Sequence, residues 1–409
     1  MEQTINLSKE EQLIAGLCRL EPFEKNIHKI NSLLPLDWSL VWKGSIFHGT
    51  VPLIYHRLKS SNFKNHIPEE ILENFKRGYY QNLFKNMVLF KELKELLEDL
   101  TTRGIKVMVL KGGFLAENIY HNIALRPMAD LDLLVLEEEL DTTEKSLMSL
   151  GYSLERMEYS RWWAKRFGGE RTYVKKSNLL IPLDVHWNIS KFIWGGIKKE
   201  QDLWNNAQST KIAGINTLSM SIEDMIFHIS THLSVHHGMF RLIWLRDICE
   251  LIQHYQANID WEKIVEMAKQ SRLDTAIYYS FKYAQKWLAA MVPEEVLNEL
   301  KPVDANNFQS KICSPRISMN QDIMILYRLL KISGIIKKGH FLLGNMFPSV
   351  KYLRKRYSIP TSKMVYFYWL YRPLFVLYRG TLAFLSICFT FTKQYAKRLS
   401  KIRRNSLAL

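Results

Sequence analysis

Cysteine is scarce in this chain, and what there is lies scattered. Cys18, Cys249, Cys313 and Cys388 form no Cys-x-x-Cys pair. That excludes a zinc ribbon and a disulfide framework and suits a reducing, cytoplasmic setting. A secretory leader is also missing from residues 1–12 (MEQTINLSKEEQ), which have neither a basic start nor an apolar run. No uncharged apolar stretch reaches the ~18–20 residues that span a bilayer. The aromatic-rich Met364–Phe391 is 28 residues long, but it carries Arg372 and Arg379, and only 13 residues separate Arg379 from Lys393. Acids are almost absent from the last quarter. From Lys301 to Leu409 there are 20 Lys and Arg against two acids, Asp304 and Asp322. The whole chain has 56 bases and 40 acids, so the first 300 residues hold 36 against 38. The net charge of +16 therefore belongs to the C-terminal quarter and is no property of the rest. No internal repeat is present.

The composition that remains is that of a folded protein. Hydrophobic residues make up 47% and charged residues 23%, and 409 residues suffice for two or three domains. Residues 7–60 read as helical, with Leu13, Leu17 and Leu20 at helical spacing and a break near Pro35. From Pro68 to about Thr101 runs one long amphipathic pattern. Pro68 suits a first helical position, and Glu69 and Glu70 suit the positive end of the helix dipole. Ile71, Phe75, Tyr79, Leu83, Met87, Phe90, Leu93 and Leu97 make its apolar stripe.

After Gly104 the period changes. Ile105–Leu110 reads as a strand, Lys111–Gly113 as a turn, and Phe114–Tyr120 as a short helix. Ala129–Val135 reads as a strand and Glu137–Leu150 as a helix closed by Gly151. Arg171–Lys176 and Leu180–Trp187 read as two strands joined at Ser177–Asn178. A helix starts near Ser221, with Ser221 as N-cap and Asp224 three residues on. The sequence thus predicts an α+β fold. A small mixed sheet occupies about 101–200, between helical regions at 1–100 and 201–300, and a basic, aromatic-rich helical region follows at 301–409.

Chemistry concentrates in residues 107–135, VMVLKGGFLAENIYHNIALRPMADLDLLV. Side chains alternate across a strand, so Asp130 and Asp132 share one face while Leu131, Leu133 and Val135 share the other. Two carboxylates on an apolar strand repel each other and raise one pKa. A divalent cation offsets that repulsion. Mg²⁺ takes hard oxygen ligands, and two such ions clamp the attacking and leaving oxygens in phosphoryl and nucleotidyl transfer. A two-metal site wants a third carboxylate. Asp184, in Asp184-Val185-His186-Trp187, shares a strand face with His186, and is the candidate third ligand and general base for an acceptor hydroxyl. Gly112 and Gly113 let backbone approach a phosphate closely. Lys111 and Arg126 are the candidate cations for the β- and γ-phosphates.

This order of parts resembles the polymerase-β nucleotidyltransferase superfamily: a glycine turn, Asp-x-Asp on the next strand, a third acid on a later one. More narrowly, the chain resembles a bacterial family described as uncharacterised nucleotidyltransferases. An LKG turn (Leu110-Lys111-Gly112) precedes Arg126 to Asp132, and Leu183 to Trp187 follows. Downstream, Glu223-Asp224, His228, His232 and Arg241 to Asp247 also match. The resemblance covers roughly residues 35–270. Sixteen residues separate Gly113 from Asp130, more than the commonest superfamily spacing.

The resemblance implies transfer of a nucleoside monophosphate from an NTP to an acceptor hydroxyl of a small molecule, saccharide or peptide product. Two Mg²⁺ ions, or Mn²⁺, would sit on Asp130, Asp132 and Asp184. Lys111, Gly112, Gly113 and Arg126 would hold the triphosphate, and His186 would orient Asp184 or touch the nucleotide. Two rival classes share these residues. One is a protein-modifying enzyme that places a nucleotide on Tyr, Ser or Thr. The other is a non-catalytic nucleotide- or lipid-binding protein.

Single motifs have plainer readings. Asp-x-Asp alone is common at solvated strand ends, and Gly-Gly is more often just a turn. His228, His232 and His236 lie four apart, a zinc-compatible spacing, but no further ligand completes a site, so they are expected to line the cleft or pack in the core. Arg241 and Asp247 either shape an acceptor pocket or form a structural ion pair. Met364–Phe391, with basic Lys393–Arg404 after it, suits either a packed C-terminal helix or an interfacial one on an anionic membrane surface, at the inner face for a cytoplasmic protein. No nucleic-acid-binding module accompanies that basic tail.

Overall fold

The structure is a computed structural model. It describes residues 7–21, 31–59, 61–155, 169–177, 179–189, 200–236 and 241–303, and in the last quarter chiefly 334–348, 350–357 and 364–382. Two compact units result. One comprises Met1–Arg156 with Gly168–Arg316, the other Met157–Phe167 with Ile317–Leu409.

The first unit is α+β, built on a seven-stranded mixed sheet: β1 (Val107–Val109), β2 (Leu131–Val135), β3 (Tyr152–Leu154), β4 (Glu170–Lys176), β5 (Leu180–His186), β6 (Gln208–Ile212) and β7 (Ile215–Ser219). Their order is β3-β4-β5-β2-β1-β7-β6. β1 pairs antiparallel with β2, and β2 pairs parallel with β5. Every residue of β1 and β2 is buried, as central strands covered on both faces must be.

The strand at Leu180–His186, its hairpin partner and the helix Leu140–Ser149 lie where sequence alternation predicts them. Gly151 follows that helix at φ +87°, a conformation glycine adopts without penalty. Ser221 caps Ile222–Thr231 as expected, its hydroxyl accepting from Asp224 N at 3.3 Å. The predicted Phe114–Tyr120 helix instead starts at Lys111, as one tight turn to Phe114 followed by a wider π-type turn over Leu115–Ile119.

Two features differ from the sequence reading. The hairpin β6–β7 lies in a stretch expected to be wholly helical. Its two-residue turn places Ala213 and Gly214 at φ +50° and +82°, the conformation that matches strand twist. Thr217 Oγ1 donates to Val107 O at 3.0 Å and Glu117 accepts from Ala213 N at 2.7 Å, which ties the hairpin to β1 and to the 115–119 turn. In the long helix, Glu69–Thr102, the expected stripe drifts. Met87 is 56% exposed, while Phe75, Phe90, Leu93 and Leu97 of that stripe are buried together with Asn86, Leu89, Leu96 and Leu100. Each i+4 step overshoots a 3.6-residue turn by about 40°, so the run Phe75, Tyr79, Leu83, Met87 rotates out of the core.

The helices Ile222–Thr231, Leu242–Tyr255, Trp261–Gln270 and Asp274–Leu288 pack together beside the sheet, and Leu242–Tyr255 touches the 115–119 turn. In the second unit, Leu353 and Val365 form a small core with Tyr357, Tyr368 and Trp369 around it.

Candidate active site

The parallel register of β2 and β5 pairs Leu131 with Leu183, Asp132 with Asp184 and Leu134 with His186. Residues paired in register point to the same side of the sheet. Asp132 and Asp184 therefore stand side by side, and Thr172 of β4 flanks Asp184. Asp130 lies just before β2, near enough that Asp132 and Asp184 both repel its carboxylate. The three acids predicted from sequence are thus brought together.

Their surroundings divide them into one carboxylate held low and two that remain raised. Asp132 is buried, and its Oδ1 lies 2.7 Å from Lys111 Nζ and 3.0 Å from His186 Nε2. Burial alone would raise the Asp132 carboxyl; Lys111 and His186 hold it well below the usual carboxylate range instead. In turn, Asp132 holds Lys111 and His186 above their ordinary values against the cost of burial. Asp130 is pushed up to about 6 by burial and by its two acidic neighbours. Asp184 is also raised, by burial and then by Asp132. Its Oδ1 is buried with no hydrogen-bond partner.

His186, read from the sequence as orienting Asp184 or touching the nucleotide, takes Asp132 and not Asp184 as its hydrogen-bond partner. It lies two pairs farther along the register, reaches Asp132 with one ring nitrogen, and sets the other 3.3 Å from Glu170.

Lys111 sits where β1 turns into its short helix. Leu110 N donates to Asp132 O at 3.0 Å, locking the turn to β2. Lys111 itself has φ +46°, a left-handed conformation that side chains rarely adopt and that tends to mark functional positions. A Cβ on Gly112 would meet Met128 Cγ at 2.9 Å, and one on Gly113 would meet Val109 Cγ1 at 2.9 Å. The space beside each glycine is filled by the protein's own side chains, so close packing already demands both.

Arg126 is committed elsewhere. Its Nε lies 2.8 and 3.0 Å from the two Asp247 oxygens, its Nη2 lies 2.8 Å from Oδ2, and Nη1 donates to Pro127 O. Tyr120 donates its hydroxyl to the same carboxylate at 2.8 Å. Burial pushes the Asp247 carboxyl up against the pull of Arg126. Asp247 thus pairs with Arg126, while Arg241 lies over the Trp244 ring at 5.5 Å. From the long helix, Asn82 donates to Ala124 O, and Asn86 donates to Ile123 O and Arg126 O. Together these groups pin the 122–130 loop that delivers Asp130. Asn82, Asn86 and Tyr120 were not singled out in the sequence; a buried amide inside an apolar helical stripe is the signal that points to Asn86.

His228 is buried, and neither ring nitrogen has a hydrogen-bond partner. The side chain of His236 lies outside the described residues. Burial, with Lys111 and His186 nearby, pushes the His228 imidazole down to about 3. An unfolded histidine takes its proton near 6.5. Between those values the unfolded chain binds a proton that the folded chain refuses, so this group's effect on stability worsens as pH falls below about 6.5. At pH 5 the loss is about 2 kcal/mol. Asp130, raised rather than lowered, acts in the opposite direction over part of this range, so a variant must isolate the histidine. The loss of stability between pH 7.5 and 5, measured by denaturant unfolding, should shrink by about 2 kcal/mol in His228→Leu. An equal loss in both proteins would assign the effect to other groups.

The donor set fits a divalent cation. An orphaned carboxylate oxygen on Asp184 and two carboxyls raised by burial and by acidic neighbours are what such an ion relieves. Among the described residues no group of three or more His, Cys, Asp or Glu side chains is placed to hold a metal ion as it stands; Asp132 is held by Lys111 and His186.

A family model described as uncharacterised nucleotidyltransferase matches residues 35–289. No curated protein matches the chain.

Proposed function

The chain belongs to this nucleotidyltransferase family, and from that premise we propose that it moves a nucleoside monophosphate from an NTP to an acceptor hydroxyl at Asp130, Asp132 and Asp184. What carries the reading is the in-register pair Asp132 and Asp184, with Asp130 close by. Two Mg²⁺ ions held by these carboxylates, with Mn²⁺ as a substitute, would supply charge stabilisation to the attacking and leaving oxygens.

The chain's own residues then divide the work. Asp184, whose carboxyl is raised, accepts the proton of the acceptor hydroxyl. The acceptor oxygen bonds to the α-phosphorus, the bond from that phosphorus to the β-bridging oxygen breaks, and pyrophosphate leaves. Lys111, with the Gly112–Gly113 turn, faces the triphosphate and meets its charge. His186 holds Asp132 in place from the side opposite its contact with Glu170. Arg126 acts through the loop it anchors to Asp247 and keeps Asp130 in line. A cytoplasmic setting belongs to the same proposal: Cys18 and Cys249 are buried free thiols, pushed by burial up to about 11 and about 12, so neither is a ready thiolate.

The test is pyrophosphate release with Mg²⁺ and each of the four NTPs, ATP among them, using host cell extract as the source of acceptor. Release by the wild type and its disappearance in Asp130→Ala/Asp132→Ala establishes the reaction and the preferred NTP. A folded wild type that binds metal and NTP yet releases nothing with any of the four would count against it.

A further inference from the structure

The second unit turns an unusual face to solvent. Its helix over 364–382 is held along one side only. Val365 is buried with Leu353, Tyr357 and Tyr368 stack at 4.7 Å, and Trp369 Nε1 donates to Pro348 O at 3.2 Å. Arg372 donates to Asn345 O at 2.9 Å and to the Tyr357 hydroxyl at 3.1 Å. These contacts set the rotation of the helix.

The opposite side carries Phe367, Leu370, Leu374, Leu377 and Tyr378, exposed by 68, 78, 68, 56 and 61%. Steps of three and four put them on one stripe. Ile335 and Ile336, 85 and 70% exposed, add to the apolar surface of the same unit. Scattered exposed leucines need no explanation, but a continuous aromatic and aliphatic stripe marks an interaction site.

Charge decides what covers it. From residue 323 to the end the sequence contains no Asp or Glu, while Lys337, Lys338, Arg354 and Arg379 stand in the described part. A second copy would bring the same positive charge against itself. A nucleic-acid backbone would satisfy the bases but leave the leucine stripe in water. Anionic lipid satisfies both features: headgroups meet the Lys and Arg, and Leu, Phe and Tyr enter the boundary with the acyl chains. Among the described residues no helix is long and apolar enough to cross a membrane, so the helix would lie along the surface.

We infer that the stripe Phe367–Tyr378 is a docking face for an anionic bilayer. The full-length protein is sedimented with vesicles of phosphatidylcholine alone and of phosphatidylcholine mixed with phosphatidylglycerol. The wild type sediments with the mixed vesicles, less so at high salt, and not with phosphatidylcholine. Phe367→Ser/Leu370→Ser/Leu374→Ser binds at least about tenfold more weakly, and Lys337→Glu/Lys338→Glu also weakens binding. Because none of these side chains is buried, the variants keep the wild-type circular dichroism and pyrophosphate release. No sedimentation by wild type overturns the inference, as does equal binding to both vesicles or wild-type binding by the triple serine variant. A wild-type dimer that the serine substitutions dissolve, with no vesicle binding, would make a second copy the occupant.

Discussion

Asp184→Asn is expected to slow pyrophosphate release by about 10³-fold or more, because in the proposed reaction Asp184 is both a metal-binding carboxylate and the proton acceptor, a role worth about 10²–10⁴-fold by itself. The fold should not suffer. Asn keeps the volume, the buried Oδ1 has no hydrogen bond to lose, and the amide oxygen can still accept the hydrogen bond that Thr172 gives the carboxylate. Burial and the neighbouring Asp132 disfavour the charged form of Asp184, so removing that charge relieves repulsion. Activity and stability are therefore expected to move in opposite directions, the signature of a residue kept for chemistry. The comparison is the rate of pyrophosphate release beside the melting temperature of the same preparation. Activity within about tenfold of wild type would remove Asp184 from the catalytic set. A lower melting temperature would mean that it is structural.

Asp247→Ala makes the opposite prediction. It leaves the Arg126 guanidinium buried with no counter-charge and takes away the acceptor of the Tyr120 hydroxyl. Breaking one side of such a pair costs about 3–5 kcal/mol, equivalent to roughly 10 °C in melting temperature for a unit of this size. The rate should fall as well, because the loop bearing Asp130 loses an anchor. The double variant Arg126→Met/Asp247→Leu removes both charges and should recover most of the stability, since paired apolar replacements are often neutral. Differential scanning calorimetry on the two single variants and the double variant measures the coupling. Simple additivity, with the double variant least stable, would show that the two residues do not act as a buried pair.

Asp130, Asp132 and Asp184 could be read in the chain itself because strand alternation is local. An acid on an apolar strand is visible without knowing what lies beside it, and its face follows from counting. Arg126 and Asp247 were equally visible as residues, but their partnership was not. Some 120 residues separate them, and a sequence without an alignment carries no mark of which distant charge meets which. The same limit applies to His186, whose target depends on whether β5 aligns with β2 by one pair or another.

The β6–β7 hairpin escaped for a different reason. QSTKI and INTLS are polar, short strands, and the turn between them uses Ala213 at a positive φ, where Asn or Asp is the usual signal. Those strands are held by Val107 O of β1, which accepts from Thr217, and by Glu117 of the 115–119 turn. Their strand character is thus conferred by tertiary pairing, not by local preference. The exposed face of the second unit lies at the other extreme. Its aromatic content and its charge stand in the sequence, yet which side is anchored depends on Val365, Trp369 and Arg372 finding the preceding helices.

Local periodicity, chain reversals at glycine and proline, and the distribution of charge were enough to determine an α+β catalytic unit, its three acids and a basic C-terminal quarter. They act between near neighbours and can be counted along one chain. Tertiary structure decided the rest: that Lys111 and His186 settle on Asp132, that Asp130 and Asp184 are left raised, and that Arg126 serves a loop anchor on Asp247. Those outcomes depend on strand register and on burial, and both arise only when segments far apart in sequence share one core.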